Sequence, residues 1–222
     1  MDFIFDEKQD TPLCEIMGRY GSDKGDVNIN LSWHNYTTFY YHIFNERRTE
    51  PLRVFELGLG TNNIYVPSNM GPDGKPGASL YGWAEFFSNP DTKIFGADID
   101  KDILFNTDKI KTFYCDQTNP DAIKNMWSEP VLEENFDIIV EDGLHELHAN
   151  KCFFENSFHK LKPNGYFIIE DIVNKDIAAL KEIVAGWEAT YTDCKFKVLE
   201  IPSLKNTCDN ILLVIRKNDI PK

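Results

Sequence analysis

Residues 138–145 of this chain read Ile-Ile-Val-Glu-Asp-Gly-Leu-His, a hydrophobic run that ends in two acidic residues. Residues 167–171, Phe-Ile-Ile-Glu-Asp, repeat the arrangement farther along the chain. Continuous apolar runs of this length are typical of strands that are buried on both faces of a parallel sheet. The carboxyl ends of such strands meet at one edge of the sheet, where ligands bind. The two runs therefore predict an α/β sheet with several carboxylates gathered at that edge.

Strand-like and helix-like segments alternate over most of the chain. We predict strands at 53–57, 93–97, 112–115, 136–140, 166–169, 196–200 and 210–216. We predict helices at 11–20, 36–47, 78–87, 121–127, 148–161 and 177–191, with a turn at 162–165. The alternation indicates an α/β, Rossmann-like, doubly wound and mostly parallel sheet of seven strands, with helices on both faces. Because no helix separates the last two strands, we expect the last strand to be antiparallel.

The chain length also suggests how the domain is divided. Residues 1–50 form a predicted N-terminal helical extension that serves as a substrate-lid region, and residues 51–222 form a predicted cofactor-binding domain. The loop at 61–77 is long for an α/β connection, and long ordered loops near a ligand are often lids.

Composition excludes several classes of protein. A net charge of −13 and a pI near 4.8 argue against a nucleic-acid binder, which would present a basic face. The sequence contains no apolar run long enough to span a membrane, and from its acidic first residues we expect no signal peptide. Its five cysteines are scattered and form no CxxC pair, which is typical of reduced thiols in the cytoplasm.

A glycine turn follows the first predicted strand, in the segment Glu56–Gly60 (Glu-Leu-Gly-Leu-Gly). Gly58 and Gly60 would let the backbone turn sharply and approach a ligand closely. Asn63 stands where a dinucleotide fingerprint needs its third glycine, which weakens an NAD interpretation. A plain strand-to-loop turn is the alternative.

Acidic residues also end the next two strands. Asp98 is placed to accept hydrogen bonds from the two hydroxyls of a ribose, although a helix cap is an alternative role. Asp116, with Gln117 beside it, could accept a hydrogen bond from an adenine amino group. Because three predicted strands in succession end in acidic residues, a site for a nucleotide-type cofactor explains them better than coincidence does.

Asp142, Glu170 and Asp171 are candidate metal ligands. Carboxylate oxygens suit hard cations such as Mg²⁺, which take few protein ligands and complete their shell with water or substrate. His145 lies three residues after Asp142 and has the intrinsic pKa of a general base. Capping of helices and pairing with lysines are the alternative roles for these side chains.

The polar residues Lys24, His34 and Tyr36 precede the first strand in an aromatic-rich stretch. They are candidate substrate contacts, although helix packing explains most of the surrounding aromatic residues.

Taken in order, these motifs resemble those of class I S-adenosylmethionine-dependent methyltransferases. The likeness is greatest to metal-dependent sugar O-methyltransferases of the mycinamicin type and to related methyltransferases of capsule and lipopolysaccharide gene clusters. Residues 20–24 (Tyr-Gly-Ser-Asp-Lys) and 34–37 (His-Asn-Tyr-Thr) match two N-terminal motifs of that group. The chain departs from the group by the missing third glycine and by an insertion at about 61–76. The group's oligomeric state cannot be carried over, and a homo-oligomer is one option.

The resemblance implies a role for each candidate residue. Glu56, Gly58 and Gly60 would border the methionine part of S-adenosylmethionine, Asp98 would hold the ribose, and Asp116 with Gln117 the adenine. Asp142, Glu170 and Asp171 would bind Mg²⁺, and His145, assisted by Asp142, would deprotonate the acceptor.

The reaction would yield S-adenosylhomocysteine and a methylated small polar acceptor. The acceptor would be a sugar hydroxyl, or a phosphoryl or phosphoramidate oxygen, in surface-polysaccharide or natural-product biosynthesis. An NAD-dependent oxidoreductase or epimerase, a non-catalytic cofactor-binding module and a metal-dependent hydrolase are the alternatives.

Overall fold

The computed structural model of the chain describes residues 3–6, 9–29 and 32–219. Seven strands in these ranges form one sheet with the order β3-β2-β1-β4-β5-β7-β6. The strands are β1 (Arg53–Leu57), β2 (Lys93–Asp98), β3 (Ile110–Tyr114), β4 (Phe136–Glu141), β5 (Leu161–Ile169), β6 (Cys194–Glu200) and β7 (Ile211–Lys217). Strands β1 to β5 are parallel, and β7 runs antiparallel to β5 and to β6. The predicted Rossmann-like class is therefore confirmed.

Helices cover both faces of this sheet. They are α1 (Pro12–Tyr20), α2 (Tyr36–Phe44), α3 (Ala78–Phe86), α4 (Pro120–Trp127), α5 (Leu147–Ser157) and α6 (Ile177–Thr190). None of the helices in the described ranges combines the length and the apolar character that crossing a membrane requires.

Alternate residues of the central strands feed two separate hydrophobic clusters. In β5, Phe167 and Ile169 point to one face and pack with Phe153 of α5. Ile168 points to the opposite face and packs in the cluster that contains Tyr40 of α2. Each such side chain stabilises the fold by about 1.5–3 kcal/mol when fully buried. The continuous apolar run seen in the sequence is thus explained by burial on both faces.

The N-terminal segment is fastened to the sheet by α1 and α2. Thr11 caps α1 with its hydroxyl oxygen, Pro12 occupies the first turn, and Gly21 ends the helix with φ of 81°. Met17 of α1 lies in the same buried cluster as Val54 of β1. The boundary at residue 50 stays a prediction, and the structure joins the two parts through a shared core.

The largest differences between the predicted and the observed elements lie at residues 158–165, and other element ends shift by two or three residues, as at the end of α2 and the start of β3. The sequence predicts a turn at 162–165 before the strand, which is wrong, because β5 already begins at Leu161. Leu161 pairs with Phe136 and pairing resumes at Tyr166 opposite Ile138, so the intervening residues form an irregularity within the strand. The helix predicted to reach residue 161 ends at Ser157, because residues 158–160 tighten into a 3₁₀ turn before β5.

Candidate active site

A cavity of about 280 Å³ opens at the carboxyl ends of the parallel strands. Residues that follow each of the five parallel strands line it, which is the expected place for a ligand in an open α/β sheet. Its wall contains Gly58 and Gly60 after β1, Asp98 at the end of β2, Asp116 and Gln117 after β3, Asp142 and His145 after β4, and Asp171 after β5. The structure therefore brings eight of the predicted site residues to one cavity.

The glycine turn after β1 has the backbone conformation that glycine favours. Gly58 and Gly60 have φ angles of 90° and 77°. A Cβ atom on Gly58 would overlap the carbonyl oxygen of Asp142, so a side chain there is excluded by space as well as by conformation. The carboxylate of Asp98 accepts hydrogen bonds from the backbone N–H of Leu59, at 2.7 Å, and of Asp100, at 2.8 Å. Asp98 thus fixes the turn from β2 while it faces the cavity.

Glu56 and Gln117 have partners inside the protein. Glu56 is fully buried and does not line the cavity, because its carboxylate accepts hydrogen bonds from Ser79 and from the Trp83 indole. Gln117 lines the cavity, but its amide bridges the Glu141 carboxylate, at 2.9 Å, and the Leu144 N–H, at 2.8 Å. Their cofactor contacts stay predictions.

Asp142, His145 and Asp171 form a cluster whose ligand atoms all lie within 4.8 Å of one another. His145 Nε2 is 3.2 Å from Asp142 Oδ1 and 3.6 Å from Asp171 Oδ2. His145 and Asp171 adopt positive φ angles of 60° and 56°, which are uncommon for residues other than glycine. Backbone strain of this kind is frequent at functional sites. The donor set of two carboxylates and one imidazole fits a divalent cation.

Glu170, the third predicted metal ligand, is directed to a different partner. Its carboxylate lies 2.5 Å from the Lys24 ammonium and also accepts a hydrogen bond from the Tyr40 hydroxyl. The same ammonium is 2.5 Å from Asp142 and 3.7 Å from Glu56. Asp142 therefore joins two groups of charges, the Lys24 group and the His145–Asp171 group.

The charges in these groups do not balance. Burial opposes the charged form of His145, but the hydrogen bond to Asp142 and the charge of Asp171 raise its pKa to about 10. Burial raises the pKa of Glu170, although Lys24 acts in the opposite direction. The described cluster has more carboxylates than cations, so it favours the uptake of a proton or of a further cation.

The predicted substrate contacts are buried against the site. Lys24 is 2% exposed and His34 is 3% exposed. The Tyr36 hydroxyl donates to Asp171 Oδ1, at 2.7 Å, and His34 Nε2 lies 3.5 Å from Asp171 Oδ2. In the structure these three residues form a buried wall behind the acidic cluster. Their role in substrate binding stays a prediction.

Sequence reasoning missed three residues of this wall. Tyr40 follows Tyr36 at the four-residue spacing that places two side chains on one helix face, and this signal was available. Asn206 and Asn210 contact His34 Nδ1, both at 3.2 Å, from the loop before β7. No local sequence pattern predicts the contacts of Asn206 and Asn210, because only the fold brings their loop to His34.

Comparison with known sequences identifies related methyltransferases. The chain is 31% identical over 162 residues to 8-demethyl-8-(2-methoxy-alpha-L-rhamnosyl)-tetracenomycin-C 3'-O-methyltransferase of Streptomyces olivaceus. The aligned region covers 72% of this chain and 36% of the relative. It is 29% identical over 160 residues to mycinamicin VI 2''-O-methyltransferase of Micromonospora griseorubida, and this aligned region also covers 72% of this chain and 36% of the relative. The chain thus spans little more than a third of the length of these relatives. No family model matches it.

Solved structures agree on the fold. MycE, a methyltransferase from the mycinamycin biosynthetic pathway in complex with Mg and SAH, matches with a TM-score of 0.66 at 22% identity, over 96% of this chain and 58% of MycE. The O-methyltransferase from Bacillus cereus in complex with SAH matches with a TM-score of 0.59 at 11% identity, over 94% and 92% of the two chains. With the sequence relatives, these matches show that the chain belongs to the class I S-adenosylmethionine-dependent O-methyltransferases, close to the tetracenomycin and mycinamicin sugar O-methyltransferases.

Proposed function

We propose that the chain binds S-adenosylmethionine and Mg²⁺ and methylates a hydroxyl group of a sugar. The observation that carries the proposal is the cluster of Asp142, His145 and Asp171, which faces the cavity beside Gly58. A cofactor site alone would not need a base and two carboxylates within reach of one ion. Family membership supplies the reaction class and disfavours the oxidoreductase and hydrolase alternatives.

When bound, S-adenosylmethionine supplies an activated methyl group, and Mg²⁺ supplies positive charge that lowers the pKa of a nearby hydroxyl. Asp142 and Asp171 would hold the ion. Its charge would offset the two carboxylates that raise the pKa of His145, so that a neutral His145 Nε2 would accept the hydroxyl proton. Glu170 stays in the proposed metal set, although it would reach the ion only by exchanging its contact with Lys24. The protein's remaining task is to orient the acceptor for direct displacement.

The charge of the cavity favours a neutral acceptor over a phosphoryl or phosphoramidate oxygen. Its described lining contains five aspartates (Asp23, Asp98, Asp116, Asp142 and Asp171) and neither lysine nor arginine. An anionic acceptor would be repelled by this surface unless bound metal offset the charge. The relatives above are also named for methylation of sugars. Their names point to natural products and give no support to a role in surface polysaccharide.

Calorimetry tests the cofactor assignment. S-adenosylmethionine and S-adenosylhomocysteine should bind the purified protein, and NAD should not. Mg²⁺ should bind to the wild type and fail to bind to Asp142→Asn, whereas Asp116→Asn should retain the ion because Asp116 lies away from the cluster. Failure of both sulfur ligands to bind would overturn the proposed function, including its weaker form as a non-catalytic module.

Acceptor assays with radiolabelled methyl donor then test the chemistry. We expect methyl transfer to a rhamnoside, abolished by excess EDTA and restored by Mg²⁺. His145→Ala should lose turnover while it retains the cofactor. Methyl transfer to a sugar phosphate oxygen in preference to any hydroxyl would contradict the proposal that the acceptor is neutral. Full activity in EDTA would contradict the proposed requirement for a metal ion.

A further inference from the structure

A small pocket of about 30 Å³ continues the main cavity toward the start of α3. Gly58, Gly60, Met70 and Asp142 line both spaces, so a ligand that occupies the main cavity can extend into the pocket. Lys75, near the end of the insertion, lines only the small pocket.

The Lys75 side chain crosses directly over the backbone of Gly21. A Cβ atom placed on Gly21 would lie 2.7 Å from Lys75 Cδ and 3.0 Å from Lys75 Nζ. Such distances are too short for carbon contacts, so the glycine at this position leaves room for the lysine. The end of α1 and the end of the insertion therefore fit together at this point.

Lys75 differs from Lys24, the other lysine of the small pocket, in having no ionic partner. Lys24 is held between carboxylates at 2.5 Å. Within the described part of the chain, no carboxylate lies within ion-pair distance of Lys75 Nζ, and the side chain is exposed. An ammonium that faces a ligand pocket without an anion is available to an anionic group of the ligand.

The backbone holds Lys75 in this place. The N–H of Gly77 donates to the carbonyl of Leu59 at 2.7 Å, which ties the end of the insertion to the glycine turn. The N–H of Ala78 donates to the carbonyl of Lys75 at 3.0 Å. Asn62 donates to the carbonyl of Gly74 at 3.0 Å, which closes the insertion on itself.

The small pocket is thus lined by residues of both charges. Asp23 and Asp142 line it together with Lys75 and with Lys24, whose ammonium is already paired with Asp142. This pattern is complementary to an amino-acid group, in which a positive ammonium and a negative carboxylate leave the same carbon. The amino-acid end of the proposed cofactor has this chemistry, and an anion such as phosphate does not match the carboxylates.

We propose that Lys75 binds the carboxylate of the amino-acid part of S-adenosylmethionine and that the insertion serves to place it there. The inference rests on the proposed function for the identity of the cofactor. It adds a cofactor-binding residue in the long loop between β1 and α3 to the candidates named from the sequence. Lys75 acts by binding and takes no part in proton transfer.

Two ligands distinguish binding of the carboxylate by Lys75 from a general effect of the substitution on the cavity. S-adenosylhomocysteine carries the amino-acid carboxylate, whereas 5'-methylthioadenosine has the same nucleoside and lacks the amino acid. Calorimetry on Lys75→Ala should show binding of S-adenosylhomocysteine weakened by about tenfold or more, with binding of 5'-methylthioadenosine unchanged. Lys75→Arg, which keeps the charge, should bind both ligands within about threefold of the wild type.

The control is Lys93→Ala, because Lys93 is exposed at the start of β2 and thus at the opposite edge of the sheet. It should change neither affinity. Equal affinity of wild type and Lys75→Ala for S-adenosylhomocysteine would overturn the inference alone, and so would an equal loss for both ligands. A wild-type protein that binds neither ligand would overturn the proposed function, and the inference with it.

Discussion

The ammonium of Lys24 lies 2.5 Å from the carboxylate of Glu170, and both side chains are almost completely buried. The contact joins the N-terminal segment to the end of β5 across 146 positions of the sequence. Lys24 also contacts Asp142, so one cation from outside the sheet lies among the acidic strand ends. The N-terminal segment thus contributes charge to the site as well as packing against the sheet.

Replacement of Lys24 by methionine should destabilise the protein strongly. The variant keeps most of the side-chain volume but leaves buried carboxylates without their cation, and the loss of one partner from a buried ion pair costs about 3–5 kcal/mol. The free energy of unfolding in urea, measured without metal, checks the prediction. Saturating Mg²⁺ should stabilise the variant more than the wild type, since a divalent cation can take over part of the missing charge.

An exposed ion pair provides the control for this experiment. Arg19 and Glu85 lie 2.6 Å apart, with 55% and 38% of their side chains exposed. Arg19→Met should therefore cost less than about 1 kcal/mol. A similar loss for Lys24→Met and Arg19→Met would mean that burial of the Lys24 group has no energetic importance.

Replacement of Gly58 by alanine should disrupt the site. Gly58 has φ of 90°, and an added Cβ would overlap the Asp142 carbonyl oxygen, so the strand end that carries Asp142 must move. We expect a loss of at least about 2 kcal/mol in unfolding free energy and a loss of Mg²⁺ binding by calorimetry. Gly186→Ala is the matched control, because Gly186 lies inside α6 with open space around it. That change should stabilise the protein by about 0.5–1 kcal/mol, and a stable Gly58→Ala variant that still binds Mg²⁺ would refute the packing argument.

The sequence was sufficient to predict the sheet and the position of the cavity. Apolar runs such as 138–140 specify strands buried on both faces, and the residues that end parallel strands must share one edge. Asp98 and Asp142 could be assigned to that edge for this reason alone. The irregularity in β5 was missed, because Leu161 pairs with Phe136 through a register that only the neighbouring strand determines.

The sequence could not predict which side chain each carboxylate of the acidic cluster contacts. Glu170 and Asp171 are adjacent in sequence, yet one contacts Lys24 and the other lies near His145. Adjacent residues point in different directions, and which one meets a cation depends on where the N-terminal segment packs. Long-range contacts of this kind leave no periodic or local signal in a single sequence.

Replacement of Asp98 by asparagine should weaken cofactor binding. Both carboxylate oxygens accept backbone N–H groups, so an amide nitrogen in either place would face a donor, and the hydrogen bond from Leu59 or from Asp100 would be lost. We expect affinity for S-adenosylhomocysteine to fall by about tenfold or more, measured by calorimetry. Asp102→Asn, on the neighbouring exposed turn, should change that affinity by less than about twofold. An unchanged affinity in Asp98→Asn would remove Asp98 from the cofactor site.

Glu141 should make the stability of the metal-free protein depend on pH. Its carboxylate is 1% exposed and accepts hydrogen bonds from the Gln117 amide, at 2.9 Å, and from the Gly143 N–H, at 3.2 Å. Burial raises its pKa to about 7, although Gln117 and His145 favour the charged form. Because the folded-state pKa lies above the unfolded value, the contribution of Glu141 is fully present below about pH 4.3 and is lost as pH rises through 7.

Replacement of Glu141 by glutamine should remove this loss, because an amide cannot ionise. The unfolding free energy of the variant, relative to the wild type, should rise by up to about 3 kcal/mol between pH 4.5 and pH 8.5. Urea unfolding in EDTA at several pH values measures the difference without interference from metal. Glu133→Gln, an exposed change, should give a curve parallel to that of the wild type. If Glu141→Gln also runs parallel, Glu141 stays ionised in the folded protein, and the excess negative charge of the site must be offset at another carboxylate.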